Sequence, residues 1–424
     1  MSPTPLPTAV FTALARTRPA PAGLSALGSA LRARRLLLLK ALLVRVERHR
    51  EAVAPGVLRR FREAWHLLER VERGHPAVVR DVLDYPMTGA WLAAALAEPA
   101  GPALDRHLAW LENLAVTAAL RAGGLLDVTL DTPGGLLSLP GVGRARVAGR
   151  RARITTRSAG TYVLDAGTPD TATVLLLADR RGGTLVGRGP GWSGLRTLPA
   201  GAARLEDLDP YRVPPGGVGS PARTAAEHTA TDPAAWAARW RAAQDLLGRT
   251  DPGRAAEVRR AVRAVVPLVA HGPRSVGATL SAAPGAVLTS PPAGARDLAE
   301  TLVHETHHSK LATLHECVPL YRPGPAAVHQ VGWRTDPRPI AGVLQGAYAH
   351  LALTDLWRRA ATAEGVPRLW RSVAGQQFDH IHDQVGEALA ILLESDELTN
   401  EGREFAQQMG RHHASLGATP RPVG

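Results

Sequence analysis

His304 and His308 stand four positions apart in Leu298-Ala-Glu-Thr-Leu-Val-His-Glu-Thr-His-His-Ser-Lys310-Leu311. Residues four apart on a helix share a face, so these two imidazoles can be aimed at one point. Two neutral imidazoles at that spacing make half of a first-row metal site, and Glu305 lies beside them. The pattern His-Glu-x-x-His is short and recurs by chance. Its surroundings strengthen it here. Leu298, Leu302 and Leu311 recur at the spacing of a core helix, and Asp297 and Glu300 lie where the helix dipole favours negative charge. The alternative is a surface helix rich in histidine.

The familiar use of the pattern is a zinc peptidase, in which the glutamate is a general base toward a metal-bound water. That chemistry needs a third protein ligand. The extended form with Gly three residues and His six residues past the second His is absent, because Leu311 and Leu314 occupy those positions. The form with a glutamate about twenty residues further on is absent too. Tyr321-Arg-Pro-Gly-Pro-Ala-Ala-Val328 contains no carboxylate, and Glu316 falls in the same helix as the motif.

The remaining candidates for third ligand are His329, His350, His380, His382 and Glu387. His350 is preferred, because Gly346 one turn before it leaves room for a metal or ligand on that face. An ordinary core histidine is the other reading of His350. His329 follows a Pro/Gly-rich turn and reads as loop or short strand, while His380 and His382 read as a solvated helix end. His307 is expected to face away from the pair, and His315 to support it. Three histidines with open positions suit zinc or iron, and iron with open cis positions suits an oxygenase that chelates a keto acid. A keto-acid co-substrate also needs a cation for its far carboxylate, for which arginine is best shaped. Arg334 and Arg338, just before the His350 helix, are the candidates, with Lys310 a third. A salt bridge to Asp336 is the alternative for the arginines.

The elements that must position these groups can be read from period and punctuation. Residues 22–124 look helical, with Trp91, Trp110 and Leu111 as core anchors. Residues 125–221 carry short β-branched runs, at Leu125–Leu130, Arg153, Thr161 and Ala172–Leu177, followed by a Pro/Gly/Ser linker. Helices return over 222–424. Asp232-Pro233 and Asp251-Pro252 are helix starts, the second opening a helix over Arg254–Val266. The motif helix is expected over Ala295–Leu314, and further helices over Ile340–Thr362, Gln376–Glu394 and Asn400–Ser415. Residues 1–21, rich in Pro, Thr and Ala, read as a disordered N-terminus. The fold class is therefore α+β: mainly α-helical, with a small β-rich unit between an N-terminal helical region and a C-terminal helical region that carries the metal motif.

The chain has 424 residues and a formal charge of +12. Nearly all of that charge is arginine spread along the chain, without an aromatic-studded basic run, which argues against nucleic acid. An acidic peptide partner remains compatible with it. One cysteine, Cys317, excludes an internal disulfide and fits a reducing cytoplasm. Leu36–Val44 is apolar but too short to span a bilayer, and no secretory signal is evident, so no membrane partner is expected.

Three blocks carry a family resemblance. These are Ala299–Leu311, Trp333–Pro339 and Gly342–His350, joined by Asp209-Pro-Tyr-Arg212. Together the chain resembles the HExxH-motif proteins encoded near ribosomally made peptide natural products, the α-ketoglutarate-dependent HExxH-type peptide β-hydroxylases. The resemblance is strongest over residues 205–415. It implies iron(II) held by His304, His308 and a downstream histidine, here assigned to His350, with α-ketoglutarate (2-oxoglutarate) on the iron. It implies hydroxylation at Cβ of a residue in a precursor peptide, in company with other enzymes of the pathway. Glu305 then orients a ligand or water instead of acting as base. Keto-acid oxygenases built on jelly rolls carry their ligands on a β-barrel, so their residue roles do not transfer to this helical motif.

Overall fold

In the computed structural model the described residues are 6–165, 173–179, 183–272, 275–324 and 327–417. The fold is mainly helical α+β, as the sequence implies. Its helices are α1 (Thr8–Ala15), α2 (Pro21–Arg48), α3 (Pro55–Gly74), α4 (Pro76–Leu83), α5 (Pro86–Ala97), α6 (Pro102–Arg121), α7 (Pro233–Thr250), α8 (Pro252–Ala261), α9 (Ala295–Cys317), α10 (Ile340–Thr362), α11 (Arg368–Glu394) and α12 (Asn400–Gly417). The chain divides into two compact units, one of residues 1–31, 197–203 and 232–424, the other of residues 32–196 and 204–231. Most of the N-terminal helical region and most of the β-rich segment, expected as separate regions, fall in the second unit, while α1 and the start of α2 fall in the first.

In that second unit, α3 to α6 each begin with Pro at the first helical position, where its missing N–H costs nothing. Trp91 and Leu111 are fully buried, and the Trp91 indole donates to the His107 carbonyl at 2.8 Å. Strands Asp127–Asp131, Arg151–Ser158, Thr161–Asp165, Val174–Asp179 and Thr184–Arg188 form an antiparallel sheet in that order. Ala152 and Ile154 point inward while Arg151 and Arg153 point out, the alternation of a sheet with one wet face. Strands Leu136–Leu139, Gly143–Arg146 and Trp192–Gly194 form a second, smaller sheet.

The other unit carries the motif. Asp232 caps α7 by accepting from the Ala234 and Ala235 amides, and Asp251 caps α8 by accepting from the Arg254 amide. The helix expected to continue from Arg254 to Val266 stops at Ala261. Ala264–Pro267 instead forms a strand parallel to Ala286–Thr289, buried on both faces. A run of Ala-Val-Val is equally suited to a buried strand, and pairing decided it. Gly277–Ala278 pairs antiparallel at the edge of Ala286–Thr289. α9 packs on this sheet, on α7 and on α10, and α11 packs on α10. α10 is buried along most of its length, where Gly346, Ala347, Ala349 and Ala352 permit close approach. The expected disorder of residues 1–21 does not hold for α1, whose Leu14 and Ala15 are buried and whose Phe11 ring lies 5.5 Å from that of Phe405 in α12. Residues 1–5 and Ala172 lie outside the described residues.

Candidate metal centre

α9 presents His304 and His308 on one face, with Nε2 atoms 3.0 Å apart. The His350 ring, from α10, lies edge-on to that of His304, with centroids 5.0 Å apart. The structure therefore brings together the three histidines that the sequence singled out. His350 Nδ1 is 2.8 Å from the Gly346 carbonyl. A carbonyl only accepts, so Nδ1 carries the proton and Nε2 is left with a lone pair. His308 Nδ1 meets the Gln345 Oε1 at 3.0 Å, which fixes the same tautomer. With His308 Nε2 unprotonated, either a proton on His304 or a cation must lie between the two facing nitrogens.

Burial sets the charge state. It holds the His304 pKa well below the ordinary histidine value, with His308 and His350 adding to the effect. It lowers that of His350 to about 4, against the pull of the Gly346 carbonyl. Both are neutral donors at neutral pH, the form that ligates a metal. Among the described residues no group of three or more His, Cys, Asp or Glu side chains is already drawn around one point. His350 is thus in contact with His304 without yet converging on the pair. The donor set fits a first-row metal: half-buried imidazoles, two of them, His308 and His350, oriented by second hydrogen bonds.

Glu305 is buried and turned toward the edge strand. Its Oε2 accepts from the Thr279 hydroxyl at 2.7 Å, and a Cβ on Gly277 would stand 2.6 Å from its Oε1. Burial raises its pKa, while His308 and the Thr279 bond pull it back. Arg334 and Arg338 both pair with Asp336, at 2.8 and 3.3 Å, and are about two-fifths exposed. Arg338 sits in a two-residue strand, Arg338–Pro339, paired with Val328–His329.

Other candidates lie elsewhere. His380 and His382 fall within α11, not at its end; His380 meets Gln384, and His382 stacks on His413 with centroids 3.9 Å apart. Glu387 is exposed. His329 is in a strand, as expected, with Nε2 buried and unpartnered. His315 stacks on Tyr321 and accepts from the Leu320 amide, so it supports the end of α9.

Another face of α9 has a different character. His307 is fully buried; its Nδ1 donates to the Val303 carbonyl, and its Nε2 lies 3.0 Å from Arg254 Nη1. Lys310 reaches Glu257 at 2.6 Å, and Arg254 reaches the other Glu257 oxygen at 2.5 Å. Burial lowers the Lys310 pKa against the attraction of Glu257. Lys310 is therefore tied into the interior. Gln345, Trp333 and this ionic cluster were not recognised from sequence. The carboxylate partner of Lys310, Glu257, lies 53 residues away, and nothing local marks it.

Comparison with known proteins finds no matching family model and no curated protein significantly similar to this chain. Among the described residues no helix is long and apolar enough to cross a membrane.

Proposed function

We propose that this chain is an iron(II)/α-ketoglutarate-dependent hydroxylase acting on Cβ of a residue in a ribosomally made precursor peptide, in the cytoplasm. The observation that supports it most is the half-buried His304–His308 pair, 3.0 Å apart and beside His350. Two nitrogens each about 2.1 Å from one ion are ~3.0 Å apart at a right angle and ~3.4 Å apart at the tetrahedral angle. The observed spacing suits cis ligands of an octahedral ion, which keeps sites for a chelating keto acid. When bound, iron(II) with α-ketoglutarate and oxygen would supply the chemistry that replaces Cβ–H by Cβ–OH, one oxygen atom entering the product and the other the succinate left as the keto acid loses carbon dioxide. His304, His308 and His350 hold the ion, Gln345 and the Gly346 carbonyl orient two of them, and Glu305 buttresses the helix against the edge strand. Arg334 and Arg338 are assigned to the far carboxylate of the co-substrate, for which each must exchange Asp336 for the ligand.

A zinc peptidase with Glu305 as general base is the second reading. The raised pKa of Glu305 favours it, since a base poised nearer neutrality transfers protons better. The burial of Glu305 and its bond to Thr279 weigh the other way. One experiment separates the two: anaerobic loading with iron(II), then assay with α-ketoglutarate, oxygen and a candidate precursor peptide. Succinate and a product heavier by one oxygen atom are expected. A peptide cut in two under zinc alone sinks the hydroxylase reading.

A further inference from the structure

Far along the chain from the histidines, Leu205-Glu-Asp-Leu-Asp-Pro-Tyr-Arg212 places three carboxylates within four residues, all buried. Their surroundings differ. Asp207 has basic neighbours, with His228 Nδ1 at 2.9 Å and Arg196 at 3.6 Å. Glu206 is fully buried. Its Oε1 accepts from the Leu208 and Asp209 amides at 3.1 and 2.8 Å, and its Oε2 accepts from the Tyr85 hydroxyl. Asp209 is 5% exposed. Its Oδ1 accepts from the Tyr211 amide at 2.8 Å, while its Oδ2 is buried with no partner.

Glu206 and Asp209 line one cavity of about 10 Å³ with Ser138, Pro140, Gly141 and Leu208. That is the space of a single small occupant. The nearby Arg212 eases the charge on Asp209 without bonding its carboxylate. Its Nη1 donates to the Asp209 main-chain carbonyl at 2.8 Å, its Nη2 reaches the Ala226 carbonyl at 3.5 Å, and its Nε is buried without a partner.

We propose that Glu206 and Asp209 form a binding site for one oxygen-seeking cation of the calcium class, seated in this cavity against Asp209 Oδ2. An unpartnered buried carboxylate oxygen is costly, and two carboxylates facing one cavity need a counter-charge. Burial pushes both carboxyls up, with Asp207 adding to the cost at Glu206 and Glu206 to that at Asp209, and protons or a metal relieve what Arg212 leaves uncompensated. A metal displaces those protons to solvent. Calcium fits better than magnesium. It accepts irregular sets of carboxylate and main-chain oxygens, whereas magnesium retains several waters, for which a one-atom cavity has no room.

The test uses the full chain, stripped of metal and titrated with calcium chloride by calorimetry, and with terbium(III) as a luminescent stand-in. Uptake of one calcium per chain is expected, with terbium emission that calcium competes away. Asp209→Asn is expected to weaken calcium at least tenfold. Glu206→Gln serves as a second variant should the first not fold. Tyr85→Phe is expected to keep uptake while cutting the terbium emission severalfold, which places the ion beside this phenol. His308→Ala is expected to keep calcium uptake intact, so failure here and failure of the iron reading are separate results. No calcium-competed uptake by the wild-type chain overturns the proposal, as does Tyr85→Phe emission equal to wild type, or unchanged affinity in folded Asp209→Asn.

Discussion

Trp333 lies flat against His350, their ring centroids 4.4 Å apart and their planes 22° from parallel. Gly346 makes this possible. It sits one turn before His350, accepts that ring's Nδ1 proton through its carbonyl, and has no side chain where the indole passes. A Cβ there would stand 2.9 Å from the Trp333 ring. Gly346→Ala is therefore expected to push the indole off His350. Overpacking of this kind costs about 1–3 kcal/mol. Loss of support behind a ligand weakens metal binding by roughly 10–100-fold. Cobalt(II) titration followed by absorbance, with urea unfolding alongside, measures both. Wild-type metal affinity in Gly346→Ala would show that Trp333 does not hold the third imidazole.

Gln345 performs the matching task for His308, at 3.0 Å from its Nδ1. Gln345→Leu keeps the bulk and removes the acceptor. The His308 ring then loses its tautomer restraint, and iron(II) affinity is expected to fall by about 10–100-fold with little change in fold. The reading of Gln345 as an orienting residue is sunk if the dissociation constant stays within twofold of wild type.

How far the sequence revealed this site follows from where each partner lies in the chain. His304 and His308 are joined by helical spacing, so one element displays both. His350 was reachable because Gly346 marks a close approach one turn away. Gln345 was not marked, since a lone glutamine on a helix is usually solvated. Lys310 read as a candidate for co-substrate, yet its partner Glu257 is on α8, and only tertiary packing joins them. The same limit hid α1. Its proline-rich setting reads as disorder, and its order comes from Phe11 and Leu14 burying against residues hundreds of positions away. The strand at Ala264–Pro267 was read as helix because four apolar residues carry no period of their own.

Lys310 yields a test that separates structure from catalysis. Its ammonium is 2.6 Å from Glu257, which also meets Arg254, and all three are buried. Removing one member of such a cluster leaves an imperfectly compensated charge and costs about 3–5 kcal/mol. Lys310→Met is thus expected to lose stability in urea unfolding, and Lys310→Met/Glu257→Gln to recover part of it. A co-substrate ligand would behave differently: Lys310→Met would raise the KM for α-ketoglutarate with stability unchanged.

His412 on α12 predicts how the fold responds to acid. It is 6% exposed, and neither ring nitrogen has a partner. Burial lowers its pKa from 6.5 to about 4; Asp355 opposes this, while Arg18, Arg254 and Arg359 add to it. The sign follows from the two states. Between pH 6.5 and about 4 the unfolded chain carries a proton at this position that the folded chain refuses. Stability therefore falls as the pH drops through that window, by roughly 3 kcal/mol for a shift of this size. Other groups also titrate there, so the comparison must be differential. His412→Leu removes the titration and forfeits no hydrogen bond, and is expected to lie within ~1 kcal/mol of wild type at pH 7. On acidification to pH 4 the variant should lose less than wild type, by about the amount above. Parallel unfolding curves for the two proteins from pH 7 to 4 would place the acid sensitivity elsewhere. Glu257, whose carboxyl Lys310 and Arg254 hold below the usual range against burial, would then be the group to examine.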